Sequence, residues 1–171
     1  MDISVISIVM YCLSLGFFLV GGIFSLLLIP QGANRTRNIA AHIPALLGSM
    51  SLVVASVFQF LSPAPSTLTF GNLYSFIELT VRIDGLSAFF LLIIGLIGTV
   101  ASIYGMGYVQ HYYGEYNIGI FGLAYNIFLA AMTLVVSTNN AYFFLIAWDL
   151  MSLASYALII FEHKKEENIR A

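Results

Sequence analysis

Tyr142, Asp149, Tyr156 and His163 recur at steps of seven residues, with Ser152 in between. On an α-helix that spacing collects them in one narrow stripe. Asp149 lies in Tyr142-Phe-Phe-Leu-Ile-Ala-Trp-Asp149-Leu-Met-Ser-Leu-Ala-Ser-Tyr156, a run otherwise suited to lipid. A carboxylate near the middle of a bilayer costs at least about 2.5–3.5 kcal/mol, and such a residue reads by default as an ion or proton site. Desolvation favours the neutral form of a carboxyl and a nearby lysine favours the charged form, so a group switched between them suits proton relay. Successive members of the stripe stand about 10.5 Å apart along the helix. Direct proton hops cannot cover that distance, so water or neighbouring helices must fill the gaps. A second reading is a structural polar contact to another helix, such as one to Asn126, which also lies near the centre of its own apolar run. The stripe supplies no lysine, because Lys164 and Lys165 stand beyond its end.

The elements that must position these residues follow from composition. The 171 residues are 60% hydrophobic and 8% charged, whereas a soluble domain is about a quarter charged. The expected class is therefore an all-α integral membrane protein with a single membrane domain over 1–171. Five segments can each cross about 30 Å of hydrocarbon, which takes about 20 helical residues: Ile3–Ile29, Ile39–Leu61, Asp84–Gln110, Asn117–Ser137 and Ala141–Phe161. Lipid leaves helices as the option for such open spans, and the runs are too continuous for barrel strands. Met1-Asp2 has no basic n-region and the first apolar run is too long for a signal peptide, so it reads as a true first span. Cys12 has no cysteine to pair with and reads as packing. No basic cluster could track a phosphate backbone, which excludes nucleic acid as a partner.

The links carry the topology. Pro30–Asn38 reads as a polar turn with Arg35 and Arg37. The external loop 62–83 opens Ser-Pro-Ala-Pro-Ser and then alternates loosely, as a short hairpin or amphipathic cover would. His111–Tyr116 is a short aromatic link, and Thr138-Asn-Asn140 a tight turn. With the N-terminus outside, Arg35, Arg37, Lys164, Lys165 and Arg170 all fall in the cytoplasm and Arg82 alone falls outside, so the positive-inside rule predicts N-out, C-in. Tyr104, Tyr108, Tyr112, Tyr113 and Tyr116 gather around one cytoplasmic link, as interfacial aromatics do. That topology discounts the glycosylation sequon at Asn34-Arg-Thr36. Gly21/Ser25, Gly95/Thr99, Gly98/Ser102 and Ala101/Gly105 stand four apart and read as faces for close helix packing.

The remaining polar residues read as structural. Asp84 before Gly-Leu-Ser suits an N-cap. Glu78 and Arg82 read either as an ion-pair cluster or as a solvated loop. His42 reads as a packed histidine, and His111 and His163 as interfacial. The tail 162–171 reads as a solvated helix end. No spacing makes a metal site, and there is no phosphate loop, nucleophile–base pair or haem pair. The expectation is no catalytic residue and no cofactor in this chain. The proton-path candidates are Asp149, Tyr156, Tyr142, Ser152, Asn126 and His163.

Val81-Arg-Ile-Asp-Gly-Leu-Ser-Ala-Phe-Phe90, Ala101-Ser-Ile-Tyr-Gly-Met-Gly-Tyr108, Asn126-Ile-Phe-Leu-Ala-Ala-Met132 and Phe144-Leu-Ile-Ala-Trp-Asp-Leu-Met-Ser-Leu-Ala-Ser-Tyr156 together resemble the N-terminal portion of antiporter-like membrane subunits. That family serves respiratory complex I, Mrp-type sodium/proton antiporters and membrane-bound hydrogenases. The Ala-Ser-Ile-Tyr and Met-Ser-Leu wording looks most like the hydrogenase-4 component B branch. The resemblance implies about fourteen spans with an N-out start, built around inverted repeats of discontinuous helices. It also implies an essential acidic residue on the fifth span, usually Glu after Trp or Phe, paired with a lysine on a later span. Asp149 holds that position with one methylene less.

Because the sequence stops at Ala171, the lysine and the later helices are expected from another polypeptide, in a split or truncated arrangement. The implied partners are other membrane subunits and the bilayer of the cell membrane. The leading expectation is a proton- or cation-translocating subunit of a redox-driven complex. The alternatives are an Mrp-type antiporter component and a scaffold without transport.

Overall fold

A computed structural model describes residues 3–30, 32–74 and 77–162. Helix α1 runs Ile3–Ile23 and ends in a π turn, Phe24–Leu28. Helix α2 is Asn34–Phe60. Strands β1, Ser66–Tyr74, and β2, Ile77–Ile83, follow. Helix α3 is Gly85–Tyr108, extended by a 3-10 turn, Val109–Tyr112; α4 is Ile118–Ser137 and α5 is Ala141–Ile159. Among the described residues, five helices are long and apolar enough to cross a membrane. Helix α2 begins at Asn34, so Arg35 and Arg37 stand on its first turns rather than in the polar turn read from the sequence.

Asparagine and aspartate start three of these helices. The Asp84 carboxylate accepts the Ser87 N–H at 2.9 Å. Asn117 accepts from Gly119 and Ile120 at the head of α4, and Asn140 accepts from Tyr142 and Phe143 at the head of α5. Each cap satisfies N–H groups that the helix itself leaves orphaned. Asp84→Ala is expected to lower stability by about 1 kcal/mol, read as a drop in thermal midpoint in detergent at neutral pH. The Ser87 N–H, with Arg82 nearby, holds the Asp84 carboxyl below its ordinary value. The benefit is therefore full above the ordinary carboxylate range and is lost as pH falls through the depressed folded-state value. The gap between wild type and variant should narrow below about pH 4.

Helices α1 to α4 pack through small residues. A Cβ on Gly48 would meet the Phe18 ring of α1, and one on Gly95 would meet the Ser49 carbonyl and the Val53 N–H of α2. On the other side, Gly21 and Gly22 of α1 lie against Asn126 and Leu123 of α4. Backbones approach this closely only where no side chain intervenes.

The loop expected as a hairpin or cover is a hairpin, paired antiparallel from Ser66↔Ile83 to Tyr74↔Ile77. It closes one end of the bundle. Val81 and Ile83 join Tyr11, Leu52, Ala88 and Leu91 in one buried cluster, with Cys12 packed half-buried beside it. Ser66 Oγ donates to Gln59 Oε1 at 2.6 Å and Ser4 O at 3.2 Å. Asn139 N donates to Thr80 O at 2.9 Å, which ties the α4–α5 turn to β2. Helix α5 packs chiefly on α4, and within it only Ala147 and Ala154 are buried.

Candidate functional site

Helix α5 fixes where Asp149 points. Its buried alanines are seven residues apart and define the face laid on α4. Asp149 lies on the other side and is exposed, as are Tyr142, Ser152 and Tyr156. Ser152 Oγ donates to its own helix at Trp148 O, 3.0 Å away. The stripe is thus one continuous face of α5, turned away from the bundle, and Asp149 makes no hydrogen bond or ion pair with another described residue. A carboxylate midway along a membrane-length helix, on a face that the other described residues leave exposed, is costly in lipid. His163 lies outside the described residues, as does the rest of the expected tail beyond Glu162. The Glu78 side chain also lies outside them.

Asn126 is not on this face. It is fully buried against α1 and α2, where Nδ2 donates to Ala41 O at 3.0 Å and to Gly122 O at 2.8 Å. A contact between Asn126 and Asp149 does not form, because Asn126 is packed against α1 and α2 while Asp149 lies on the face of α5 away from its buried alanines. The structure brings Asp149, Tyr142, Ser152 and Tyr156 onto one face and separates Asn126 from them.

Sequence reasoning overlooked a second polar stripe, on α2. Asn38, His42, Ser49, Ser56 and Gln59 are all buried and follow the four-, seven- and three-residue steps of one helix face. That periodicity was available in the sequence. His42 is a packed histidine: Nδ1 stands 2.9 Å from Asn38 O, and the ring lies on Tyr125 at 5.4 Å and Phe121 at 6.1 Å. Gly105 leaves room for its Nε2 edge. Asn38 Nδ2 donates to Tyr113 Oη at 2.8 Å and Met106 O at 2.9 Å, while Tyr125 Oη and Ser102 Oγ are 2.9 Å apart. These bonds tie α2, α3 and α4 together, as polar groups do between helices in lipid.

Arg37 was also underrated as a loop charge. It is only 4% exposed. Nε and Nη2 donate to Ile29 O at 3.0 and 2.6 Å, Nη2 to Leu26 O at 3.3 Å, and Nη1 to Asn117 Oδ1 at 3.0 Å. Arg37 takes carbonyls at the C-terminal end of α1, where a helix leaves its last C=O groups without partners, and the guanidinium joins α1 to the head of α4. Among the described residues no group of three or more histidines, cysteines or carboxylates is placed to hold a metal.

Residues 70–117 match a family model described as NADH-Ubiquinone oxidoreductase (complex I), chain 5 N-terminus. The chain is 31% identical over 152 residues to hydrogenase-4 component B of Escherichia coli (strain K12), an alignment covering 89% of this chain and 22% of the relative. It is 32% identical over 143 residues to putative antiporter subunit mnhA2 of Staphylococcus saprophyticus, covering 78% and 17%. It is 30% identical over 148 residues to NAD(P)H-quinone oxidoreductase subunit 5, chloroplastic, of Piper cenocladum, covering 80% and 19%. The chain spans about a fifth of the length of these curated relatives.

Proposed function

We propose that this chain, which matches the N-terminal region of the antiporter-like membrane subunit family, works as a proton- or cation-translocating membrane subunit of a redox-driven complex. The type proposed is that of hydrogenase-4, formate hydrogenlyase or NADH:quinone oxidoreductase. The carrying observation is Asp149, exposed midway along α5 on the face that the other described helices leave bare. In this reading Asp149 is the loading group. It takes a proton when its surroundings are apolar and releases it when a lysine comes near, since the cation favours the carboxylate. That lysine sits on a helix that covers the stripe of Tyr142, Asp149, Ser152 and Tyr156, contributed by further helices or by another membrane subunit. Redox chemistry takes place in other subunits.

The charge distribution supports an N-out, C-in orientation in the cell membrane, with Arg35 and Arg37 on the cytoplasmic side. The test is proton translocation by the purified complex in sealed vesicles, with Asp149 or with asparagine in its place. Transport that survives the change sinks the reading.

A second reading, an Mrp-type antiporter component, is favoured by the similarity to the antiporter subunit of Staphylococcus saprophyticus. The two readings separate on the driving force. An antiporter moves protons in response to an imposed sodium gradient and needs no reductant. The redox-driven subunit should show no proton movement until reductant is added, and sodium-driven movement in its absence would favour the antiporter.

A further inference from the structure

Helix α5 carries two stripes at seven-residue steps. Tyr142, Asp149 and Tyr156 form the exposed one, and Ala147, Ala154 and Phe161 the buried one. The second lies about 200° round the helix from the first, so whatever fixes the buried stripe also fixes where Asp149 faces. Phe161 belongs to a 3-10 turn, Ile160–Glu162, that follows α5.

The buried stripe is unevenly held. Ala147 and Ala154 offer one methyl group each. That lets α5 come close to α4 but resists rolling little, because roll is fixed by large side chains fitting between those of a neighbour. Phe143, near the head of the helix, packs half-buried against the hairpin cluster. Toward the other end, apolar recesses of about 210 and 340 Å³ lie between α4 and α5, from Ile127 and Leu150 down to Ile120 and Ile160. Phe161 closes that end. Its ring centroid stands 4.8 Å from Phe121, 5.1 Å from Tyr116 and 5.7 Å from Tyr112. Val109 and Ile118 share the buried cluster. Phe121 in turn lies on His42 at 6.1 Å, so the cup is backed by α2. Among the described residues, Phe161 is the one large buried side chain of α5 and its turn. In lipid no hydrophobic force presses a helix on its neighbours, and fit of this kind decides.

We propose that Phe161 is a positioning residue for Asp149. Its ring, seated in the cup of Tyr112, Tyr116 and Phe121, sets the roll and tilt of α5 and so the place of the carboxyl. Side chains reach about 5–6 Å from the helix axis, so a roll of about 20° moves the carboxyl about 2 Å. A misplacement of about 1 Å can cost about 100-fold in a reaction that depends on position. The proposal rests on the reading of Asp149 as the loading group.

The experiment pairs a distance with a rate. Nitroxide labels at Asp149→Cys and at Gly107→Cys, a position with open space around it, are placed in the full chain in lipid nanodiscs. Cys12, the single native cysteine, is replaced by alanine. Pulsed dipolar spectroscopy then reads where position 149 stands relative to α3. The distance should be narrow with Phe161 in place and broadened or shifted by about 2 Å in Phe161→Ala. Phe161→Leu, which refills the cup, should restore it. In the assembled complex with Asp149 intact, Phe161→Ala should lower proton translocation about tenfold or more, with partner subunits still co-purifying, and Phe161→Leu should recover most of the rate. Should Phe161→Ala fail to accumulate, Phe161→Val carries the same two measurements. An unchanged distance in Phe161→Ala overturns the proposal. So does a changed distance with unchanged translocation in a complex that Asp149→Asn inactivates, and that outcome leaves the loading-group reading standing. If Asp149→Asn itself transports normally, the loading-group reading fails and the positioning role fails with it.

Discussion

Asp149→Asn is expected to lower proton translocation by the assembled complex about 100-fold or more, the scale on which loss of a positioned proton-transfer group acts. Asparagine keeps the size and polarity of the side chain but cannot take up or release a proton. The exposed position of Asp149, with no hydrogen bond to another described residue, means that the variant leaves the α1–α4 packing untouched. Assembly, read as co-purification of the partner subunits, should therefore be unchanged. Asp149→Glu restores an ionisable group with one methylene more reach and should retain transport. A scaffold role predicts the opposite pattern, with Asp149→Asn silent for transport. Equal proton uptake by wild type and Asp149→Asn at matched turnover of the driving reaction would exclude Asp149 as the loading group.

Gly95→Leu is expected to prevent accumulation of folded protein. A Cβ at Gly95 would stand 2.9 Å from Ser49 O, 3.0 Å from Val53 N and 2.8 Å from Val53 Cγ2, all on α2. Two of these are backbone atoms within a helix and cannot step aside, so even alanine must push α2 and α3 apart, at about 1–3 kcal/mol. Leucine adds three further carbons to the same closed seam. The loss would show as aggregation on size exclusion and a collapsed thermal transition. Gly107→Ala is the control, because no atom lies within 4 Å of the Cβ it would add. That variant should match the wild type or gain up to about 1 kcal/mol in helix stability. A well-behaved Gly95→Leu protein would mean that α2 and α3 do not pack as described.

The sequence by itself determined the properties that are local along the chain. Five apolar runs of membrane length are helices in the structure, because length and hydration cost act on each segment alone. The Asp84 cap was legible because a cap involves residues three apart. The stripe through Tyr142, Asp149 and Tyr156 was legible because helical periodicity is fixed before any tertiary contact forms. Arg37 was not: as a charge beside a polar turn it suited a surface, and only the carbonyls at the end of α1 and the Asn117 side chain turn it into a buried tie.

Only the tertiary structure decided that Asn126 faces α1 and α2 rather than Asp149, that Gly105 makes room for His42, and that Asp149 is exposed on α5. In lipid an apolar helix face gains little by leaving the hydrocarbon for another helix, so hydrophobicity does not choose which faces meet. The choice falls to shape, above all to glycines that admit one neighbour and no other, and shape belongs to pairs of helices distant in sequence.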